Sequence, residues 1–137
     1  MDGGLLMDLK KHGIYLSGSI SHDPEFVKKF ALAERLIQED LPEVFIFNPA
    51  AHQDLPADGK TEEELWAEYL CRDIIMLMSI ADQFRMKVLV SISDNRTSKG
   101  SNLERQFAQR IGFHIMDIRE FVPEWDELLA KELGGKA

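Results

Sequence analysis

Three side chains in this sequence have types and spacing that could do chemistry together. Glu104 stands four residues after Gly100 in a stretch that reads as the first turn of a helix, where the helix dipole and free amides would favour its ionised form. A carboxylate held anionic is a potential nucleophile. Acidic residues also occupy first turns for stability alone, so the case for chemistry depends on what lies beside it. Asp73 shares a helical neighbourhood with Leu70, Ile74 and Leu77, and a charged group beside an apolar stripe needs a reason. Either it faces a cavity, or it flanks the stripe and pairs with Arg72 or a nearby amide. Tyr15 ends a buried strand, where its ring would pack and its hydroxyl would need a partner; a carboxylate such as Glu104 would serve.

Two segments could hold a ligand near these residues. Gly18 and Gly100 allow close backbone approach, and Ser19, Ser21, Ser98 and Ser101 offer hydroxyls beside a helix N-terminus, a setting that suits a phosphate or carboxylate. The same residue types also make plain turns. The sequence has neither GxxxxGK[ST] nor GxGxxG, which argues against nucleoside triphosphate hydrolysis and a standard Rossmann cofactor. The one cysteine, Cys71, has no partner for an internal disulfide. His12, His22, His52 and His114 show no paired ligand spacing, so neither a metal centre nor a cofactor is expected.

The elements that must position these residues follow from periodicity. Apolar runs at 13–17, 44–47, 86–92 and 113–116 read as strands. Between them lie a helix opened by Asp23-Pro24 and ended near Asp40 before Pro42, and a second opened by the capping box Thr61 and Glu64. A third carries Leu103, Phe107 and Ile111 and stops at Gly112, and a last helix spans 123–133. Near-continuous apolar strands alternating with helices imply an α/β fold: a doubly wound, mostly parallel, flavodoxin-like sheet of four to five strands with helices on both faces. In strand order 2-1-3-4 the reversal lies between the first and third strands, and the loops 17–21 and 93–101 meet there, where such sheets bind ligands.

The chain has 137 residues, 45% hydrophobic and 29% charged, which fits one folded domain, expected over 13–133 between a flexible extension at 1–12 and a flexible tail at 134–137. A net charge of −8 disfavours a nucleic acid polymer as partner. No apolar run approaches the ~20 residues of a membrane span and no secretion signal is evident, so a cytoplasmic protein that does not bind membranes is expected.

Taken together, Ile14-Tyr15-Leu16-Ser17-Gly18-Ser19-Ile20, Arg72-Asp73 and Ser98-Lys99-Gly100-Ser101-Asn102-Leu103-Glu104 resemble the nucleoside 2-deoxyribosyltransferase-like superfamily. The similarity covers about 13–118 and is nearest to its small members and to its nucleoside 5′-monophosphate N-glycosidases. The resemblance implies an enzyme that cleaves or exchanges the N-glycosidic bond of a deoxynucleoside or its 5′-monophosphate, without a cofactor. Glu104 would be the nucleophile, forming a covalent glycosyl ester, Tyr15 would orient it, and Asp73 would protonate the departing base. Ser17, Gly18, Ser19, Ile20, Ser21, Asn48, Ser98, Gly100 and Ser101 would bind substrate. Relatives form dimers or larger rings, so a homodimer or higher homo-oligomer is expected, with Phe107, Phe113, Phe121 and Trp125 available either for contact or for the core. Three positions depart from the family's pattern. Ser21 stands where the monophosphate hydrolases carry an arginine. No asparagine follows Asn102, although the transferases usually complete the pocket with one from a neighbouring subunit. Ser98 stands where many transferases have an aspartate, as it does in the hydrolase branch. The missing arginine and asparagine motivate a second reading, a non-catalytic nucleotide-binding or sensing domain on the same fold. A third is a bare interaction module.

Overall fold

Strand β1 (His12–Ser17) is buried from Gly13 onward, and its period-two alternation divides the molecule into two layers. A computed structural model describes residues 12–20, 23–92 and 99–134, with the backbone alone at 99–101. With β1, strands β2 (Phe45–Phe47), β3 (Met86–Ser91) and β4 (His114–Asp117) form a parallel sheet in the order β2-β1-β3-β4. Helices α1 (Phe26–Asp40), α2 (Glu62–Gln83) and α3 (Lys99–Arg110) connect successive strands, and α4 (Ile118–Phe121) and α5 (Trp125–Glu132) follow β4. This is the doubly wound α/β arrangement expected from the sequence, with four strands among the described residues. Of the segments expected to be flexible, 1–12 and 134–137, residues 1–11 and 135–137 lie outside those described.

Ile14 and Leu16 join Phe30, Ala33 and Ile37 of α1 and Trp125 of α5 in one core. Tyr15, between them, points the other way and packs with Leu89, with Leu77 and Ile80 of α2 and with Ala108 of α3. Gly13 lies at the tightest approach of that second layer. A Cβ there would sit 2.7 Å from Phe84 Cδ2 and 2.8 Å from Ile80 Cγ2, so only glycine lets α2 come this close. Among the described residues, no helix is long and apolar enough to cross a membrane.

Local chemistry sets the element ends. Thr61 Oγ1 accepts the Glu64 N–H at 3.1 Å and Glu64 Oε1 accepts the Thr61 N–H at 2.8 Å, the expected capping box. Gly112, at φ +100°, stops α3 as expected. The start of α1 differs. Asp23 Oδ1 takes the Glu25 N–H at 2.9 Å in a tight turn, and the helix begins only at Phe26, with Glu25 at its N-cap and no side-chain cap. His12 belongs to β1, one residue before the expected start of that strand. The expected last helix forms as α5, and before it lies a short helix the sequence reading did not include, α4, which Asp117 and Glu120 open with a second capping box ahead of Pro123. Of the four aromatic residues open to either role, Trp125 and Phe113 are buried, and Phe107 and Phe121 pack half-buried against the core.

Candidate active site

Tyr15 and Ser17 lie two apart on β1 and therefore project to the same side of the sheet, toward α2 and α3. The chain enters α2 from the carboxyl end of β2, so the N-terminal half of that helix passes over the carboxyl ends of the strands. Asp73, Leu77 and Ile80 form its buried stripe at i, i+4 and i+7: the two apolar residues pack in the core and the aspartate lies a turn nearer the crevice. On α3, Glu104 and Ala108 make the equivalent inward pair. Three elements thus direct Tyr15, Ser17, Asp73 and Glu104 to one place.

There the Tyr15 hydroxyl donates to Glu104 Oε2 at 3.0 Å and the Ser17 hydroxyl donates to Glu104 Oε1 at 3.1 Å, so each carboxyl oxygen has its own donor. Glu104 is 7% exposed and Asp73 5%. The Asp73 carboxyl lies within interaction range of both Glu104 and Tyr15, and its Oδ1 is buried without a hydrogen-bond partner. A buried acceptor left unpaired costs free energy, which a ligand able to donate a proton would recover.

The charge state of Glu104 differs from the expectation drawn from its position. The helix begins at Lys99, which puts Glu104 beyond its first turn and out of reach of most of the terminal dipole. Burial dominates instead, joined by the nearby Asp73 charge, and together they push Glu104 up to about 8 despite its two hydroxyl donors. Burial also raises Asp73, although Glu104, Arg72, Tyr15 and His52 all act to lower it. Tyr15 is raised well above the ordinary phenol value by burial and by the two carboxylates, and stays a hydrogen-bond donor. Burial and the mutual repulsion of the two carboxylates therefore favour a single proton shared by the pair.

The other expected residues fall in several places. Ser17 belongs to the cluster itself. Gly18, Ser19 and Ile20 continue from β1 at the same end of the sheet, half-buried. Ser21 and Ser98 lie outside the described residues, and Gly100 and Ser101 are described as backbone in the opening of α3. Asn48 is committed elsewhere: its Oδ1 caps the 3-10 turn Pro49–His52 through the Ala50 N–H at 2.9 Å, and its Nδ2 donates to Glu34 at 3.0 Å. Arg72 does not turn to Asp73. It donates to Asp54 Oδ1 at 2.9 Å and to the His52 carbonyl oxygen.

His52 was set aside in the sequence because no second ligand shares its spacing. Its ring lies parallel to that of Phe47, centroids 5.2 Å apart, and Phe47 stacks in turn on Tyr15 at 5.5 Å. A column of three rings thus runs outward from Glu104. The only hint in the sequence is that Phe47 and His52 flank Asn48-Pro49, a turn short enough to fold one back over the other. Among the described residues, no group of three His, Cys, Asp or Glu could hold a metal ion.

A buried carboxyl with two fixed donors, beside a second carboxyl that shares its proton, can alternate between nucleophile and proton store. No curated protein and no solved structure matches the chain. One family does match, over residues 12–117, a span that holds Tyr15, Asp73 and Glu104, and the chain belongs to it: the family described as Domain of unknown function (DUF4406).

Proposed function

We propose that this protein cleaves or exchanges the N-glycosidic bond of a 2′-deoxynucleoside or its 5′-monophosphate, as a member of the nucleoside 2-deoxyribosyltransferase-like superfamily. The observation that supports this best is the Glu104 carboxyl, buried at the switch point of the sheet, with Tyr15 on one oxygen, Ser17 on the other and Asp73 alongside. In the reaction the shared proton passes from Glu104 to Asp73, which makes the nucleophile and the acid in one step. A Glu104 oxygen then forms a bond to C1′ as the C1′–N bond breaks; the bond's electron pair goes to the base, and the base nitrogen takes the proton from Asp73. Water, or a second base, next displaces Glu104 from C1′, with Asp73 accepting the incoming group's proton. Two displacements give retention at C1′. The column of rings beside the cluster suits a planar base.

One observation favours the binding-only reading: Glu104 and Asp73 are buried side by side, which opposes the ionised form of Glu104 that attack requires. The deciding experiment incubates the protein with 2′-deoxynucleosides and their 5′-monophosphates, with and without a second base, and follows released or exchanged base. A 2′-fluoro analogue, which slows release from the ester, should leave a glycosyl adduct on Glu104 by mass spectrometry. Release that survives Glu104→Ala, or thermal stabilisation by nucleotides with no release at high protein concentration, would overturn the enzymatic reading.

A further inference from the structure

We propose that Arg72 is a positioning residue that fastens the segment 52–55 to α2 and thereby sets where the His52 ring stands beside the carboxyl pair. Four contacts meet there. The guanidinium donates to the His52 carbonyl oxygen and to Asp54 Oδ1, and it lies 4.9 Å over the Tyr69 ring. One turn back on the same helix, the Tyr69 hydroxyl accepts the Leu55 N–H at 2.9 Å. A single face of α2 thus grips the segment at residues 52, 54 and 55.

The grip is directional. Asp54 is exposed, and an exposed ion pair adds little stability, so a contribution to folding does not account for this arrangement. The guanidinium also keeps its Nε buried without a partner, a cost accepted for the geometry of its other contacts. Only a planar fork can span a backbone carbonyl and a carboxylate while lying flat on a ring; a lysine would keep the charge and lose the span. Asp73 follows Arg72 directly in the helix, so the residue that locates His52 is fixed to one member of the carboxyl pair.

The kinetic consequence rests on the glycosidic reading above; the ring position does not, and the test has an arm for each. In the full-length protein, the His52 ring protons should be shifted upfield by the parallel Phe47 ring, and they can be assigned by their loss in His52→Ala. In Arg72→Lys they should move back toward free-histidine values, and the Leu55 amide should exchange about tenfold faster. Asp54→Ala, a change at an exposed residue, should give part of both effects and guards against a folding defect in the first variant. With deoxynucleoside substrate, Arg72→Lys should raise KM about tenfold and change kcat less than about threefold, and it should add less than about twofold in a His52→Ala background. Unmoved ring protons in Arg72→Lys would overturn the proposal, as would an equal kinetic loss with and without His52. If no nucleoside is turned over, the glycosidic reading falls and the ring shift alone decides this one.

Discussion

Tyr15 and Glu104 are 89 positions apart in the chain, and their side-chain oxygens are 3.0 Å apart in the fold. That contact joins β1 to α3 across the reversal of the sheet. It lies where the β2-β1-β3-β4 order leaves the carboxyl ends of two adjacent strands open between crossovers. The phenol belongs to the core through its ring, which stacks on Phe47, and to the site through its hydroxyl.

Those two roles separate in Tyr15→Phe. The ring and its packing remain while Glu104 Oε2 loses its donor. Because the Tyr15 hydrogen bond lowers Glu104, its loss raises that carboxyl further and disfavours the nucleophilic form. We expect the fold to be kept and kcat to fall about 100-fold with little change in KM, the scale of losing one aimed donor. Steady-state kinetics and near-UV circular dichroism check both halves; wild-type kcat in this variant would show that the hydroxyl does no orienting.

The buried proton leaves its mark on stability as well. An ordinary glutamate ionises near 4.5, whereas Glu104 does so at about 8, so between those values the folded state holds a proton that the unfolded state has released. Folding stability contributed by this group is therefore lost as pH rises through that window and is level above it. Glu104→Gln cannot ionise and escapes the loss. Relative to wild type, its Tm should gain on the order of 10 °C between pH 5 and pH 8. Parallel Tm profiles for the two proteins would mean that Glu104 is already ionised at pH 5.

Asp73 and Tyr15 stood out in the sequence as a charge and a hydroxyl among apolar neighbours, and Glu104 stood out by its place four residues after Gly100 beside the expected crevice. The mostly parallel sheet followed from the alternation of apolar runs with helices; the order 2-1-3-4 was only assumed there, and the fold has it. What the sequence misjudged was the place of Glu104 in its helix. Counting from Gly100 put the residue in a first turn, where the dipole would decide, but α3 begins at Lys99 and a neighbour 31 positions away in sequence, Asp73, decides together with burial. His52 and Arg72 were missed for a related reason: their relationship to the site is a stack and a clasp between segments, and nothing in their local spacing records it.

Gly13 gives a test of the packing that brings α2 over the site. In Gly13→Ala the added methyl meets Ile80, which is buried and fixed, and the ring of Phe84. Overpacking of this kind costs about 1–3 kcal/mol, read as a lower urea midpoint. Phe84→Leu in the same chain should return part of that stability by freeing space beside Gly13. A fully stable Gly13→Ala would mean that α2 shifts outward at little cost, and the Asp73 position would not depend on this contact.

Asp73→Asn separates the two parts of the proposed reaction. The amide cannot give up an acidic proton, so departure of a poor leaving group such as a natural base should slow by about 100- to 10,000-fold. Removing the aspartate charge also removes one cause of the raised Glu104 value, so Glu104 should ionise at lower pH and be a ready nucleophile at pH 7. A deoxyribosyl donor with a nitrophenolate leaving group needs no acid, and the variant should turn it over at a rate close to wild type. The wild type should lose activity toward natural substrates above about pH 8 as the carboxyl pair gives up its last proton, whereas the variant with the activated donor should not. Equal losses on both donors would mean that Asp73 only shapes the crevice, and the division of roles between the two carboxyls would have to be abandoned.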